Sequence, residues 1–306
     1  MGHTSVAGGM PDPREEPPVR RGTLAPRQVT LLASLLLAPN PSPMTLDGTN
    51  TWILRAPGAT GCVVVDPGPP DPGHLEAIVA AGPVDVILLT HGHIDHSEGA
   101  APLHDLTSAP VRALDVAHRL GDEGLTEGDV ILAAGVEIRV LATPGHTSDS
   151  LSFVLTGDRR TDVSGTDRHD APALTGDEAS VLTGDTILGR GTTVVAHPDG
   201  RLGDYLASLR RLSDLGDAMV LPGHGPYLPA AGRAADAYLA HREARLDQVR
   251  AALAAGDSTI AEIVRRVYAD VDRALWPAAE LSVRAQIEHL HEQRELRTTP
   301  IELLLT

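Results

Sequence analysis

The sequence predicts an α/β fold, on three observations. Residues 84–90, Val-Asp-Val-Ile-Leu-Leu-Thr, form a short apolar, β-branched run of the kind that makes a buried strand. Three later runs of strand character, at 136–141, 181–186 and 218–221, each lead into a turn that carries a His or an Asp. Beyond residue 233 the pattern changes, and apolar residues recur at helical spacing in Ala-rich sequence.

From the N-terminus, residues 1–27 are rich in Pro, Gly and charge and read as a disordered lead. Arg20-Arg21 then precedes the apolar run Val29–Ala38. Twin arginines before such a run can mark an export signal, but the run is too short to span a bilayer. It reads better as a strand, which leaves the chain cytoplasmic, without membrane contact. A 42% hydrophobic fraction supports a packed core, and with 2% aromatic residues that core is built from Ala, Val, Leu and Ile. All 25 basic residues are arginine. The lack of lysine excludes a Walker-type phosphate loop and Schiff-base chemistry. A single cysteine, Cys62, excludes an internal disulfide framework.

The strand at 84–90 ends in His91-Gly92-His93-Ile94-Asp95-His96, four potential ligands within six residues. Imidazole with carboxylate suits zinc or a similar divalent ion. On extended backbone, positions i and i+2 point the same way, so His91 and His93 can grip one ion. The chain then turns at Gly92 and beyond, and Asp95 and His96 can face a second. The partners follow at the later strand ends: His146 in Thr143-Pro144-Gly145-His146-Thr147, Asp185 in Thr183-Gly184-Asp185-Thr186, and His224 in Leu221-Pro222-Gly223-His224-Gly225. Each Gly or Pro makes a tight exit turn. Alone, a Pro-Gly-His is a turn; four in order are a site. Asp177 repeats the Thr-Gly-Asp of Asp185, but no apolar run precedes it, so Asp185 is the expected ligand. Residues 157–179 are then a long polar excursion between two strands, expected to be a mobile surface insertion rather than a lid, with His169 outside the ligand set.

With these residues in place, the chain resembles the metallo-β-lactamase superfamily over roughly residues 28–232. The segments Val64-Val65-Asp66-Pro67-Gly68, Ala38–Trp52 and Gly184–Gly189 followed by Gly191–Val194 resemble its beta-lactamase-like protein 2 group. The resemblance implies an αββα four-layer sandwich with metals at one edge of the sheets. It implies metal one on His91, His93 and His146, metal two on Asp95, His96 and His224, and Asp185 bridging. Two zinc ions per chain are expected, with manganese or iron as substitutes. Dedicated lactamases of the superfamily commonly place a cysteine on metal two; here Asp185 stands at that position and Cys62 lies in an apolar strand, which argues against that activity.

In the C-terminal part, 234–255 reads as one helix stopped by Gly256, with Asp257 or Ser258 capping the next. Ile260, Ile263, Val264 and Val267 make the apolar face of that second helix, 278–294 a third helix, and 301–305 a short apolar tail. Three helices and a strand resemble a winged helix over 233–306, and the group named above carries a similar appendage. Nucleic acid is disfavoured as a partner: residues 236–306 hold nine arginines against twelve acidic residues, and the whole chain has a net charge of −16. A helical cap over the active-site groove is the better reading. A homodimer is compatible with the pattern and required by none of it.

Two adjacent cations lower the pKa of a shared water, so a bridging hydroxide can attack a carbonyl or phosphoryl group. Asp185 would orient it and Asp95 shuttle its proton; both count as catalytic. Thr49, Asn50 and Thr147 lie near the motifs and are candidates for substrate binding or for turn hydrogen bonds. The expected function is hydrolysis of a small ester, thioester or amide, in the manner of glyoxalase II or a promiscuous β-lactamase. The alternative is an endoribonuclease for single-stranded RNA. A DNA-binding regulator without catalysis and a mononuclear iron dioxygenase fit an intact seven-residue ligand set less well.

Overall fold

Alternation along the strands sets the architecture. A computed structural model of the protein describes residues 25–156 and 179–294. Six strands form one sheet in chain order: β1 (Arg27–Gln28), β2 (Ala33–Leu37), β3 (Asn50–Leu54), β4 (Cys62–Val65), β5 (Val84–Leu88) and β6 (Val111–Arg112). Pairing is antiparallel as far as β4; β4–β5 and β5–β6 are parallel, through crossovers that carry helices α1 (Pro72–Ala80) and, after a single turn α2 (Ile94–Ser97), α3 (Ala100–Thr107). Five strands form the second sheet, ordered β11-β10-β9-β8-β7: β7 (Val130–Ala133), β8 (Val136–Ala142), β9 (Leu151–Thr156), β10 (Ala179–Gly184) and β11 (Met219–Pro222). Here only β10–β11 is parallel, joined across helix α4 (Leu202–Ser213).

Period-two side-chain placement divides the apolar residues into layers. Trp52, Leu54, Val63 and Val65 face Ile138, Val140, Phe153, Leu182 and Leu221 between the two sheets. Their neighbours Ile53, Cys62 and Val64 point outward, onto Leu75 and Ile78 of α1 and Leu103 of α3. On the far side, Val154, Val181 and Val220 pack against Tyr205 and Leu209 of α4. That is the helix–sheet–sheet–helix order expected. The run at 29–38 is a departure from the single expected strand. The chain turns over Val29–Leu32, where Thr30 Oγ1 accepts from Ala33 N at 3.0 Å, and β2 folds back on β1 with Arg27 opposite Leu35. Leu31, at that turn, is exposed.

The C-terminal helices are α5 (Ala231–Ala254), α6 (Ile260–Val267) and α7 (Trp276–Glu292). The second is capped by Thr259 and not by Asp257 or Ser258. Thr259 Oγ1 accepts from Glu262 N, and the Glu262 carboxylate accepts from the Thr259 and Ser258 N–H groups, a reciprocal box closed by a residue three positions on. Ile260, Ile263, Val264 and Val267 are buried as the spacing predicts. Tyr238, Leu246 and Val249 of α5 and Val283, Ile287 and Leu290 of α7 join the same apolar cluster as α4, so the second sheet with α4 and the C-terminal helices share one core. The polar insertion over 157–178 and the tail at 301–305 lie outside the described residues, as does the lead over residues 1–24. Among the described residues, no helix is long and apolar enough to cross a membrane.

Candidate metal centre

The strand ends of both sheets converge on one edge, and all seven expected ligands meet there. His91 and His93 follow β5, His93 with an extended ψ of 142° as it caps α2, while Asp95 and His96 lie on the turn of α2. His146 leaves β8 through Gly145, Asp185 follows β10, and His224 follows β11. Two glycines allow the approach. Gly145 has φ +136°, and a Cβ there would lie 2.3 Å from Tyr205 Cα. At Gly223 a Cβ would lie 2.7 Å from both Asp185 Oδ1 and His96 Cε1.

The donor atoms form two groups. His91 Nε2 and His146 Nε2 each lie 3.0 Å from His93 Nδ1. His96 Nε2 lies 3.1 Å from His224 Nε2, and Asp95 Oδ2 lies 3.1 Å from His224 Nε2 and 3.7 Å from His96 Nε2. Asp185 stands between: Oδ1 is 3.4 Å from His96 Nε2, and Oδ2 is 3.5 Å from His224 Nε2 and 3.8 Å from His146 Nε2. His91, His96 and Asp185 also converge as a set.

The opposite ring nitrogens decide where the protons are. His146 Nδ1 donates to Val194 O at 2.6 Å, with Thr193 Oγ1 at 3.2 Å, and His224 Nδ1 donates to Gly48 O at 3.1 Å. A carbonyl only accepts, so each Nε2 presents a lone pair. His91 Nδ1 faces Thr90 Oγ1 at 3.0 Å, and that hydroxyl gives its own proton to Asp66 Oδ2 at 2.7 Å, so His91 Nε2 is bare as well. Around His93 Nδ1, then, three nitrogens share at most one proton. Asp185 Oδ1 is buried without a hydrogen bond. Converging lone pairs and an orphaned carboxylate oxygen fit cations and little else.

Electrostatics agree. Burial, helped by the neighbouring His96 and His146, pushes His91 well below the ordinary imidazole range, and burial lowers His146 against the pull of Asp185. Both are neutral, the ligating form. Burial opposes the charge of Asp185, yet His224 and His96 hold its carboxyl well below the usual range. Burial likewise opposes the charge on Asp95, and the His224 hydrogen bond and His96 outweigh it. His96 goes the other way: burial resists a charge there, but Asp185 and Asp66 push it well above the ordinary value. Without a cation the site holds a proton on His96, between two carboxylates; a metal ion on Nε2 supplies that positive charge instead.

Asp66 has no assigned role in the sequence reading, although its segment stands among the resembling motifs. It follows β4 just as His91 follows β5, with φ +53°, a left-handed conformation that Asp tolerates. Its Oδ1 accepts from Thr90 N at 2.8 Å, and its Oδ2 from Thr90 Oγ1 and from His96 Nδ1 at 2.9 Å. One buried carboxylate thus orients His96 directly and His91 through Thr90. Thr49, Asn50 and Thr147, candidates for substrate contact, are all buried and engaged internally. Thr49 Oγ1 donates to Asp95 O at 2.9 Å, Asn50 Nδ2 to Pro222 O and Gly225 O, and Thr147 Oγ1 pairs with Ser150 Oγ at 2.6 Å. They brace the loops that carry these side chains and are not among the residues lining the cavity beside His146 and Asp185. Cys62 is buried in β4, where burial raises its thiol pKa, away from the ligands.

That cavity, about 330 Å³, opens beside His146 and Asp185. Met44, Leu46, Leu188 and Val194 line it together with Val271, Leu275 and Ala279 of the C-terminal part, with Arg190, Arg242 and Arg245 among the polar lining.

Comparison with known proteins matches this geometry. The family model of the metallo-beta-lactamase superfamily matches residues 44–165, and that of the beta-lactamase associated winged helix domain matches 259–298. A Caenorhabditis elegans protein described as a beta-lactamase-like protein 2 homolog is 30% identical over 274 residues, covering 83% of this chain and 82% of its own. The chain belongs to the metallo-beta-lactamase superfamily. It is thus a member of a superfamily of metal-binding hydrolases, with the associated winged helix at its C-terminus. An Aspergillus fumigatus protein described as atrochrysone carboxyl ACP thioesterase is 28% identical over 264 residues, covering 80% of this chain and 74% of that protein. A beta-lactamase domain protein from Burkholderia ambifaria shares the fold, with a TM-score of 0.69 at 24% identity over 90% of this chain and 91% of that one.

Proposed function

We propose that this superfamily member is a zinc hydrolase with two metal ions that cleaves small ester or thioester substrates. The observation that carries the reading is the pair of ligand triads joined by Asp185 and opening onto a largely apolar cavity. His91, His93 and His146 would hold one ion, and Asp95, His96 and His224 the other. Nitrogen-rich donors favour zinc, and manganese or iron can occupy the same set. Bound there, the ions supply Lewis acidity and a nucleophilic water at neutral pH. The chain's own groups do the rest. Asp185 stays anionic between the triads and orients what binds there. Asp95 is the more accessible carboxylate, with 26% of its side chain exposed against 11% for Asp185; with Oδ2 directed at the second triad, its other oxygen, Oδ1, would accept a proton and release it to solvent. The neutral histidines are locked by their Nδ1 donors. The apolar walls receive the acyl group and exclude water around the scissile bond. A thioesterase among the relatives supports the choice of acyl chemistry.

In this reading residues 28–232 carry the metals, and the described residues from 233 onward contribute Val271, Leu275 and Ala279 to the cavity lining. A reducing compartment such as the cytoplasm suits the single buried cysteine. One observation favours a second reading, cleavage of single-stranded RNA: three arginines line the cavity. Two of them have carboxylate partners, Arg190 with Asp47 and Arg245 with Asp270 at 3.9 Å. The acidic surface also weakens that reading.

The test is zinc-loaded and chelator-stripped protein on S-lactoylglutathione, simple acyl thioesters, nitrocefin and fluorescent single-stranded RNA. Thioester cleavage that is lost on stripping, restored by zinc and abolished in Asp95→Ala supports the proposal. RNA cleavage with every small substrate untouched overturns it in favour of the second reading.

A further inference from the structure

We infer that Arg242, on α5 of the C-terminal helices, is a positioning residue for His146, so that this helical part completes the metal centre as well as walling the cavity. The inference rests on the metal-centre reading above. Its starting point is the weak local structure of the segment that orients His146. Val194 O and Thr193 Oγ1 hold the His146 Nδ1 proton, yet residues 189–198 form neither helix nor strand. A segment without its own ladder keeps a carbonyl aimed at an imidazole only if other elements pin it.

Arg242 provides that pin. Its Nη2 donates to Thr193 O at 2.5 Å, the residue whose hydroxyl faces His146 and whose neighbour supplies the carbonyl. The guanidinium lies over the Tyr205 ring, 5.0 Å from the centroid, and Tyr205 Oη donates to Thr186 O at 2.6 Å, one residue beyond Asp185. One turn earlier on α5, Tyr238 Oη accepts from Leu188 N at 3.0 Å and lies 3.2 Å from Leu188 O. The loop from Asp185 to Val194 is thus held at three points, two of them from α5.

Burial argues that this is more than packing. Arg242 is 3% exposed, and among the described residues no carboxylate lies within ion-pair distance of it. Its Nε is buried without a hydrogen bond. A buried, unpaired cation is expensive for stability, and an apolar residue of similar length would fill the same space more cheaply. An arginine at this position is explained if its bond to Thr193 O is needed to present His146. Outer partners of this kind change metal affinity by about 10–100-fold when removed.

Zinc binding separates this role from mere packing and needs no substrate. Titration of metal-free protein against a chromophoric chelator reads two affinities. Arg242→Met, which keeps the stem over Tyr205, is expected to weaken one zinc by about 10–100-fold and leave the other unchanged. Activity should fall in kcat at subsaturating zinc and recover as zinc is raised, while KM moves little. Arg242→Lys, which keeps a donor, should recover part of the lost affinity. In a His146→Ala background, Arg242→Met should cost no further zinc affinity. Should Arg242→Met fail to fold, Arg242→Leu, which also lacks a donor, and its His146→Ala double variant carry the same test. Two zinc ions bound at wild-type affinity by whichever folded donor-less variant is measured overturn the inference, even if its melting temperature has fallen. Wild-type protein that binds no zinc overturns the metal centre itself, a separate failure.

Discussion

Replacing Asp66 with Asn should disable one metal position while leaving the fold intact. Asn adopts the left-handed backbone of residue 66 as readily as Asp and has nearly the same shape, so the change is confined to hydrogen bonding. Asp66 is 1% exposed and accepts three bonds, from Thr90 N, Thr90 Oγ1 and His96 Nδ1. An amide satisfies one side only. With its oxygen toward Thr90 N, its NH2 faces His96 Nδ1, and His96 must shift its proton to Nε2. That nitrogen lies 3.1 Å from His224 Nε2, and once protonated it cannot bind metal. With the amide rotated, NH2 meets the Thr90 N–H instead. Either way at least one charge-assisted bond becomes a conflict, a loss of about 1.5–3 kcal/mol for each. At about 1.4 kcal/mol per tenfold, that is roughly a 10–100-fold loss of affinity at the ion held by Asp95, His96 and His224. Chelator competition on folded, metal-free protein reads it directly, and kcat should fall alongside. Two zinc ions bound by Asp66→Asn at wild-type affinity would refute the tautomer argument.

Two further outcomes are expected. His74 is fully buried, its Nε2 2.9 Å from Thr51 Oγ1, and burial lowers its pKa from 6.5 to about 4. A folded pKa below the unfolded one means that the unfolded chain binds the proton first. Metal-free protein should therefore lose stability as pH falls from about 6.5 to about 4, by up to about 3 kcal/mol, and the loss is complete below the folded pKa; urea titrations across that range should show a shallower acid limb in His74→Gln. Gly145→Ala forces a Cβ against the Tyr205 backbone at a φ of +136°, so stability should drop by about 1–3 kcal/mol and zinc affinity with it; unchanged urea and zinc titrations would mean that the turn relaxes freely.

The side chains that converge on the site were legible because each is announced locally. His91, His146, Asp185 and His224 follow apolar, β-branched runs, and each is preceded or followed by a Gly or Pro that turns the chain out of the sheet. The helical face of Ile260, Ile263, Val264 and Val267 was legible for the same reason, since periodicity is a local property. Thr259 was missed as a cap because three adjacent polar residues compete for that role, and only the position of Glu262 relative to the first helical turn selects among them. The strand expected over 29–38 is shortened to Ala33–Leu37 because an apolar run does not reveal where it bends.

Residue types and their spacing determined by themselves that this chain carries His and Asp side chains at four strand ends, with donors suited to divalent cations, because donor identity and turn geometry are written within a few residues. What serves each ligand was decided only in three dimensions. Gly48 O against His224, 176 residues away, Asp66 against His96, and Val194 O against His146 are contacts between elements, without a spacing to read. The same holds for Arg242, which in sequence is one arginine among several on an Ala-rich helix. Only packing α5 against the loop after Asp185 places that charge on a carbonyl beside the metal centre.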